Sequence, residues 1–133
     1  MPLYSSKLKA VYNLSLIFLT LMIIVVSHEF GHVFFGLVAG HKSQVVFLVG
    51  SEGLQTYGFA TVFQEPLMRN ETKFIAMGGI FFNALLAAAS FFASKNVRNP
   101  NFKDFLIVLA VASALSVVLN ALPIPPFDGS FLI

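Results

Sequence analysis

The chain has 133 residues, of which 57% are hydrophobic and 11% charged, with 16 Phe, no Cys and a formal net charge of +2. A soluble domain carries about 25% charged residues. This composition, with a mean hydropathy of +0.84, leaves too little polar surface to cover a water-soluble fold and points to an integral membrane protein. The small net charge without a basic cluster argues against a nucleic-acid partner. The lack of cysteine excludes disulfides and thiolate sites, so any metal must be held by His, Asp or Glu.

The first apolar run predicts a membrane-spanning helix over residues 11–38. It is too long for the h-region of a cleavable signal peptide, and no A-x-A site follows it. Its C-terminal half contains His28-Glu29-Phe30-Gly31-His32. The texture then changes. Runs rich in Val, Phe, Thr and Tyr over residues 44–49 and 54–63 flank "GSEG", which predicts a β-hairpin ended by Pro66. Gly58 within the second run suggests a bulge or a close approach. Open sheet edges are not tolerated against lipid, so the hairpin belongs at the interface or behind the helices.

A second span is predicted over residues 74–93, "FIAMGGIFFNALLAAASFFA", and a third over residues 105–122, "FLIVLAVASALSVVLNAL", joined by the polar loop "SKNVRNPNFKD". Each approaches the ~20 residues a helix needs to cross a bilayer core. Their glycines and alanines allow close helix packing. The fold class is therefore an all-α membrane protein. It forms a single domain over residues 1–133, with three transmembrane helices and a small β-hairpin between the first and second. No internal repeat or low-complexity tract interrupts it.

The chemistry lies in H-E-x-x-H. Residues i and i+4 share a helix face, so His28 and His32 can reach one ion, with Glu29 one step round. Two imidazoles on zinc, beside a carboxylate that takes a proton from the activated water, fit that spacing. Ionisable groups inside a span are rare and mark function by default. A catalytic zinc takes three protein ligands and keeps one position open. Of the remaining candidates, His41 reads as an exposed loop histidine. Glu52, Glu65, Glu71 and Asp104 read as solvated. Asp128 differs: it is a lone acid in "NALPIPPFDGS", stiffened by three prolines and followed by Gly129, although an Asp capping a turn would look the same. Three alternating crossings bring the ends of the first and third helices to the same side. His28, His32 and Asp128 then fall at similar depth, with His32 about 9 Å below the end of its helix.

"HEFGH" together with "NALPIPPFDG" resembles the site-2 protease family of intramembrane zinc metalloproteases. The second motif of that family, N-x-x-P-x-x-x-x-D-G, is met by Asn120, Pro123, Asp128 and Gly129. A third, a glycine followed four residues later by Asn, is met by Gly79 and Asn83. The resemblance implies zinc held by His28, His32 and Asp128, with Glu29 as general base. It also implies Asn83 and Asn120 near the active site as substrate- or oxyanion-binding groups; interhelical hydrogen bonding is the alternative for both. The implied substrates are transmembrane segments of membrane-anchored proteins, unwound locally and added as a strand to the hairpin edge. A non-proteolytic binding or chaperone-like member of the same fold is the alternative function.

The chain departs from the family at Ile80, where Pro is common, and in "FDG" for the commoner "LDG". It also stops at Ile133, where relatives continue, so it reads as a trimmed core or a short member. The family places its active site near the cytosolic face, with the N-terminus outside. The lysines and arginines at 7, 9, 95, 98 and 103, against those at 42, 69 and 73, favour the opposite orientation. The resemblance is given the greater weight.

Overall fold

The computed structural model describes residues 3–48, 58–125 and 127–133. Its elements in chain order are α1 (Leu3–Val38), β1 (Ser43–Leu48), β2 (Gly58–Phe63), α2 (Arg69–Ser94), α3 (Pro100–Asn120) and a short 3-10 helix (Asp128–Phe131). The protein is mostly helical with one small antiparallel sheet. Three helices are long and apolar enough to cross a membrane: Leu8–Val38, Arg69–Ser94 and Pro100–Asn120. At 36 residues, α1 is about 54 Å long, against a hydrocarbon core of about 30 Å.

All three helices begin before the predicted apolar runs, because their first turns are polar. α2 opens with Arg69-Asn70-Glu71-Thr72. The Met68 amide donates to Glu71 Oε2 (2.8 Å), and the Thr72 hydroxyl donates to the Met68 carbonyl (3.0 Å). The first of these bonds satisfies an N–H group that the helix N-terminus leaves free. α3 starts with Pro100, where the missing N–H costs nothing, and the Asn99 side chain accepts from the Phe102 amide (3.2 Å).

β1 and β2 pair in a constant register from Ser43 opposite Phe63 to Leu48 opposite Gly58. The bulge suggested at Gly58 is absent from these pairs: Gly58 takes an ordinary place opposite Leu48, and no extra residue intervenes. The predicted "GSEG" turn and the start of the second run lie outside the described residues.

α1 and α2 run antiparallel. Ser27 Oγ donates to the Phe82 carbonyl (3.5 Å), His32 bonds Ile75, and Phe35 stacks near Phe74 (4.8 Å between ring centroids). Gly31 and Gly78 meet where the helices cross. A Cβ on either would collide with the other's carbonyl, so the small-residue contact sets the spacing of the pair. α3 offers α2 the face formed by Leu106, Leu109, Ala110 and Ser113, at the i, i+3, i+4, i+7 spacing of one helix stripe.

The distribution of polarity is inverted relative to a water-soluble protein. Thr20, Glu29, His32, Asn83, Ser90, Ser94 and Ser113 are buried, whereas Phe18, Phe92, Val111 and Val118 stand outside at 60–67% exposure. Asn83 and Ser113 are the largest fully buried side chains among the described residues.

Candidate metal centre

His28 and His32 lie one helical turn apart on the inner face of α1, and both turn Nε2 toward the same point. The two Nε2 atoms are 3.1 Å apart. Asp128, on the 3-10 helix, brings Oδ2 to 2.9 Å from His28 Nε2 and 3.3 Å from His32 Nε2. Three donor atoms from two ends of the chain thus form a nearly equilateral triangle. A tetrahedral ion bound at about 2.1 Å has donor–donor edges of about 3.4 Å. The triangle, with edges of 2.9, 3.1 and 3.3 Å, is a somewhat contracted version of one face of that tetrahedron, within about half an ångström on every edge.

Hydrogen bonding alone does not account for the cluster. Asp128 Oδ2 is buried and makes no well-aligned hydrogen bond among the described residues, although it lies close to two imidazoles. Burial raises the Asp128 carboxyl, but His28 and His32 outweigh it and hold the group below the usual carboxylate range, at about 2. A carboxylate beside two imidazoles is a donor set that suits a cation. Glu29 completes the neighbourhood. His28, Glu29 and His32 each offer a ligand atom, all within 4.8 Å of one another, and this group could hold a metal ion.

The outer contacts favour the same arrangement. His32 Nδ1 is 2.9 Å from the Ile75 carbonyl. A carbonyl can only accept, so Nδ1 carries the proton and Nε2 of the neutral ring has a free lone pair. His28 Nδ1 faces the Asn83 carboxamide at 3.3 Å. Gly79 of α2 lies directly under both rings. A Cβ there would come within 2.6 Å of His28 Cε1 and 2.7 Å of His32 Nε2. The glycine of the G-x-x-x-N pattern thus admits the imidazoles, and the Asn four residues on reaches one of them.

The approach to Asp128 runs through Pro123 and Pro125; Pro126 lies outside the described residues. Gly129 serves by its small size: a Cβ would collide with the Ala121 and Leu122 carbonyls. Its backbone is not left-handed, since Gly40 is the one glycine at positive φ among the described residues.

Glu29 is buried at 8% exposure and forms no ion pair among the described residues. Its support comes from β2: Thr61 Oγ1 donates to Glu29 Oε2 at 2.8 Å. One carboxylate oxygen is held by this bond, and the other has no hydrogen-bond partner among the described residues. Thr61 shares a strand face with Phe63, whose ring packs against Gly36 of α1, so the hairpin is anchored beside the acid at two points.

A cleft of about 760 Å³ opens at this centre. Its walls include Ile24 and Val25 of α1, Ala60 and Phe63 of β2, Ile75 of α2, and Phe127 and Phe131 near the chain end, with His28, Glu29, His32 and Asp128 among them. Asn120 lines the cleft. Asn83 does not: it is fully buried. Both amides converge on Ser116 Oγ, Asn83 Nδ2 at 3.0 Å and Asn120 Nδ2 at 3.2 Å. Thr61 and Ser116 carry no sequence signal of their own, because each matters through a contact with a residue distant in sequence.

The remaining acids and histidine separate. His41 is not an exposed loop histidine: its side chain is 14% exposed and its Nε2 lies 3.2 Å from Glu71 Oε1. The chain leaving α1 returns over the first turn of α2, and that packing covers a residue whose polar neighbours suggested solvent. Glu71 is correspondingly a helix-capping and pairing group. Glu65 and Asp104 are exposed, and Glu52 lies outside the described residues. No protein-family model matches the chain, and no curated protein matches it.

Proposed function

We propose that the chain is a multi-pass integral membrane protein and a zinc-dependent intramembrane endopeptidase of the site-2 protease type. Its substrates would be transmembrane segments of membrane-anchored proteins. The observation that carries this reading is the convergence of His28 Nε2, His32 Nε2 and Asp128 Oδ2 on one point beside Glu29, at the wall of a largely apolar cleft. The inverted distribution of polarity supports the membrane setting. An apolar exterior suits lipid, and buried ionisable groups in such a setting mark function.

Two imidazole nitrogens and a carboxylate oxygen suit zinc in tetrahedral coordination and leave a fourth position for water or substrate. A bound zinc would lower the pKa of a water ligand to about 7 and polarise a peptide carbonyl. The protein's own groups do the rest. Glu29, with Oε2 fixed by Thr61, presents its free oxygen to take the proton of the attacking water and to return it to the leaving amine. Asn120 lines the cleft, and its Nδ2 is engaged by the Ser116 carbonyl (3.0 Å) and hydroxyl (3.2 Å), so it would donate to a substrate carbonyl only by exchanging one of these bonds. β2 lines the cleft through Ala60, Thr61 and Phe63, and an extended segment added along this strand would lie beside Glu29. A helical substrate must open locally first, because an intact helix engages its carbonyls in its own bonds.

The test is cleavage of a transmembrane test substrate by the wild type and by Glu29→Gln, with zinc measured in both. The proposal expects one zinc per chain in each and cleavage by the wild type alone. Equal cleavage by the two proteins overturns it.

A further inference from the structure

We propose that Asn83 is a positioning residue for the metal centre: its carboxamide oxygen accepts the Nδ1 proton of His28, fixes that ring with Nε2 free for an ion, and ties it to α3 through Ser116. This rests on the metal reading of the site and is independent of the proteolytic one.

His28 Nε2 faces His32 Nε2 at 3.1 Å and Asp128 Oδ2 at 2.9 Å. To bind an ion there, the neutral imidazole must present its lone pair at Nε2 and carry its proton at Nδ1. That proton points at the Asn83 carboxamide, 3.3 Å away. With Nδ2 toward the ring, two N–H groups would confront each other at 3.3 Å. A half-turn of the amide exchanges its oxygen and nitrogen at almost no change in shape. Oδ1 then accepts from His28 Nδ1.

The Ser116 hydroxyl, 3.0 Å from the same amide atom, turns to donate to it. Its oxygen still accepts from Asn120 Nδ2 at 3.2 Å. The result is a directed chain in which Asn120 donates to Ser116, Ser116 donates to Asn83, and His28 donates to Asn83 from the other side. It mirrors the partner of the second histidine, the Ile75 carbonyl on the same helix α2.

Asn83 has 0% exposure and no place on the cleft wall. It therefore works through His28 and does not meet a substrate. This differs from the role its sequence motif suggests.

The experiment is competition of the full-length protein with a chromogenic zinc chelator in detergent, for wild type, Asn83→Leu, Asn83→Asp and Ser116→Ala. The fold of each metal-free variant is checked by its melting temperature. Loss of an outer partner weakens metal binding by about 10- to 100-fold, and that is expected for Asn83→Leu, which keeps the branching at Cγ but has no acceptor. Asn83→Asp keeps an acceptor and should retain affinity within about threefold. Asp also matches Asn in size, so the metal-free melting temperature separates the explanations: a packing role predicts loss of zinc affinity in step with loss of stability, whereas a lost acceptor weakens zinc binding in Asn83→Leu and Ser116→Ala beyond any change in melting temperature. Ser116→Ala should weaken binding by a few-fold, and it decides the matter with Asn83→Asp if Asn83→Leu does not fold. Wild-type affinity in either Asn83→Leu or Ser116→Ala overturns the proposal while leaving the metal reading intact. A wild type that binds no zinc overturns both.

Discussion

Gly79→Ala adds one methyl group at the point where α2 passes beneath the two imidazoles. The new Cβ would lie 2.6 Å from His28 Cε1 and 2.7 Å from His32 Nε2. Comfortable carbon contacts begin near 3.4–3.5 Å, so the rings must retreat by about 0.8 Å. The donor triangle has edges of only 2.9–3.3 Å, and a retreat of that size takes it off a tetrahedral face.

In the metal-free protein the imidazoles can swing aside, because they sit at the ends of side chains with two free torsions. The cost of overpacking, about 1–3 kcal/mol, therefore falls mainly on the state that needs both rings in place. That corresponds to roughly a 5- to 150-fold loss of zinc affinity. Chelator competition measures it, with the metal-free melting temperature as the control. A Gly79→Ala protein that binds zinc within twofold of the wild type would refute the described approach of α2 to the rings.

Other substitutions test the remaining contacts. Asp128→Ala removes the third corner of the triangle and should reduce zinc retention at least 100-fold through dialysis, an estimate for losing an inner ligand where outer partners alone cost 10- to 100-fold; full occupancy would strike Asp128 from the ligand set. Thr61→Val deletes the hydroxyl that holds Glu29. It should lower kcat by about tenfold, from the loss of a hydrogen bond to a charged group, with zinc content unchanged and Thr61→Ser close to wild type. Equal loss in the Val and Ser variants would point to hairpin packing instead. His41→Ala removes the pairing with Glu71 across the junction of α1 and α2. A small fall in melting temperature with unchanged zinc affinity is expected, and altered zinc binding would contradict the separation of that pair from the metal centre.

The parts of this protein that were legible in its sequence are those governed by local spacing. His28 and His32 share a helix face because they are four residues apart, whatever surrounds them. Asp128 stood out as a lone acid after the third apolar run, and counting crossings brought it to the depth of the histidines. The three helices were legible from hydropathy. Their starts were not, because the first turns of α2 and α3 are polar segments stabilised by Glu71, Asn99 and Pro100.

Thr61 and Ser116 were illegible for a different reason. A threonine in a strand and a serine in a helix become informative only when folding sets them against Glu29 and Asn83, each more than thirty residues away. His41 was misread because burial by the returning chain is a tertiary event. Gly79 lies between these cases: its pattern with Asn83 was visible, but the imidazoles that require it were not.

Metal-dependent peptide hydrolysis is tested most directly by a zinc titration of the metal-stripped protein in proteoliposomes containing a fluorogenic transmembrane substrate. No cleavage is expected without metal, activity should rise to a plateau at one zinc per chain, and Glu29→Gln should not cleave at any zinc level despite equal binding. Cleavage that persists in the stripped protein, or that rises equally in the Glu29→Gln variant, would contradict this mechanism.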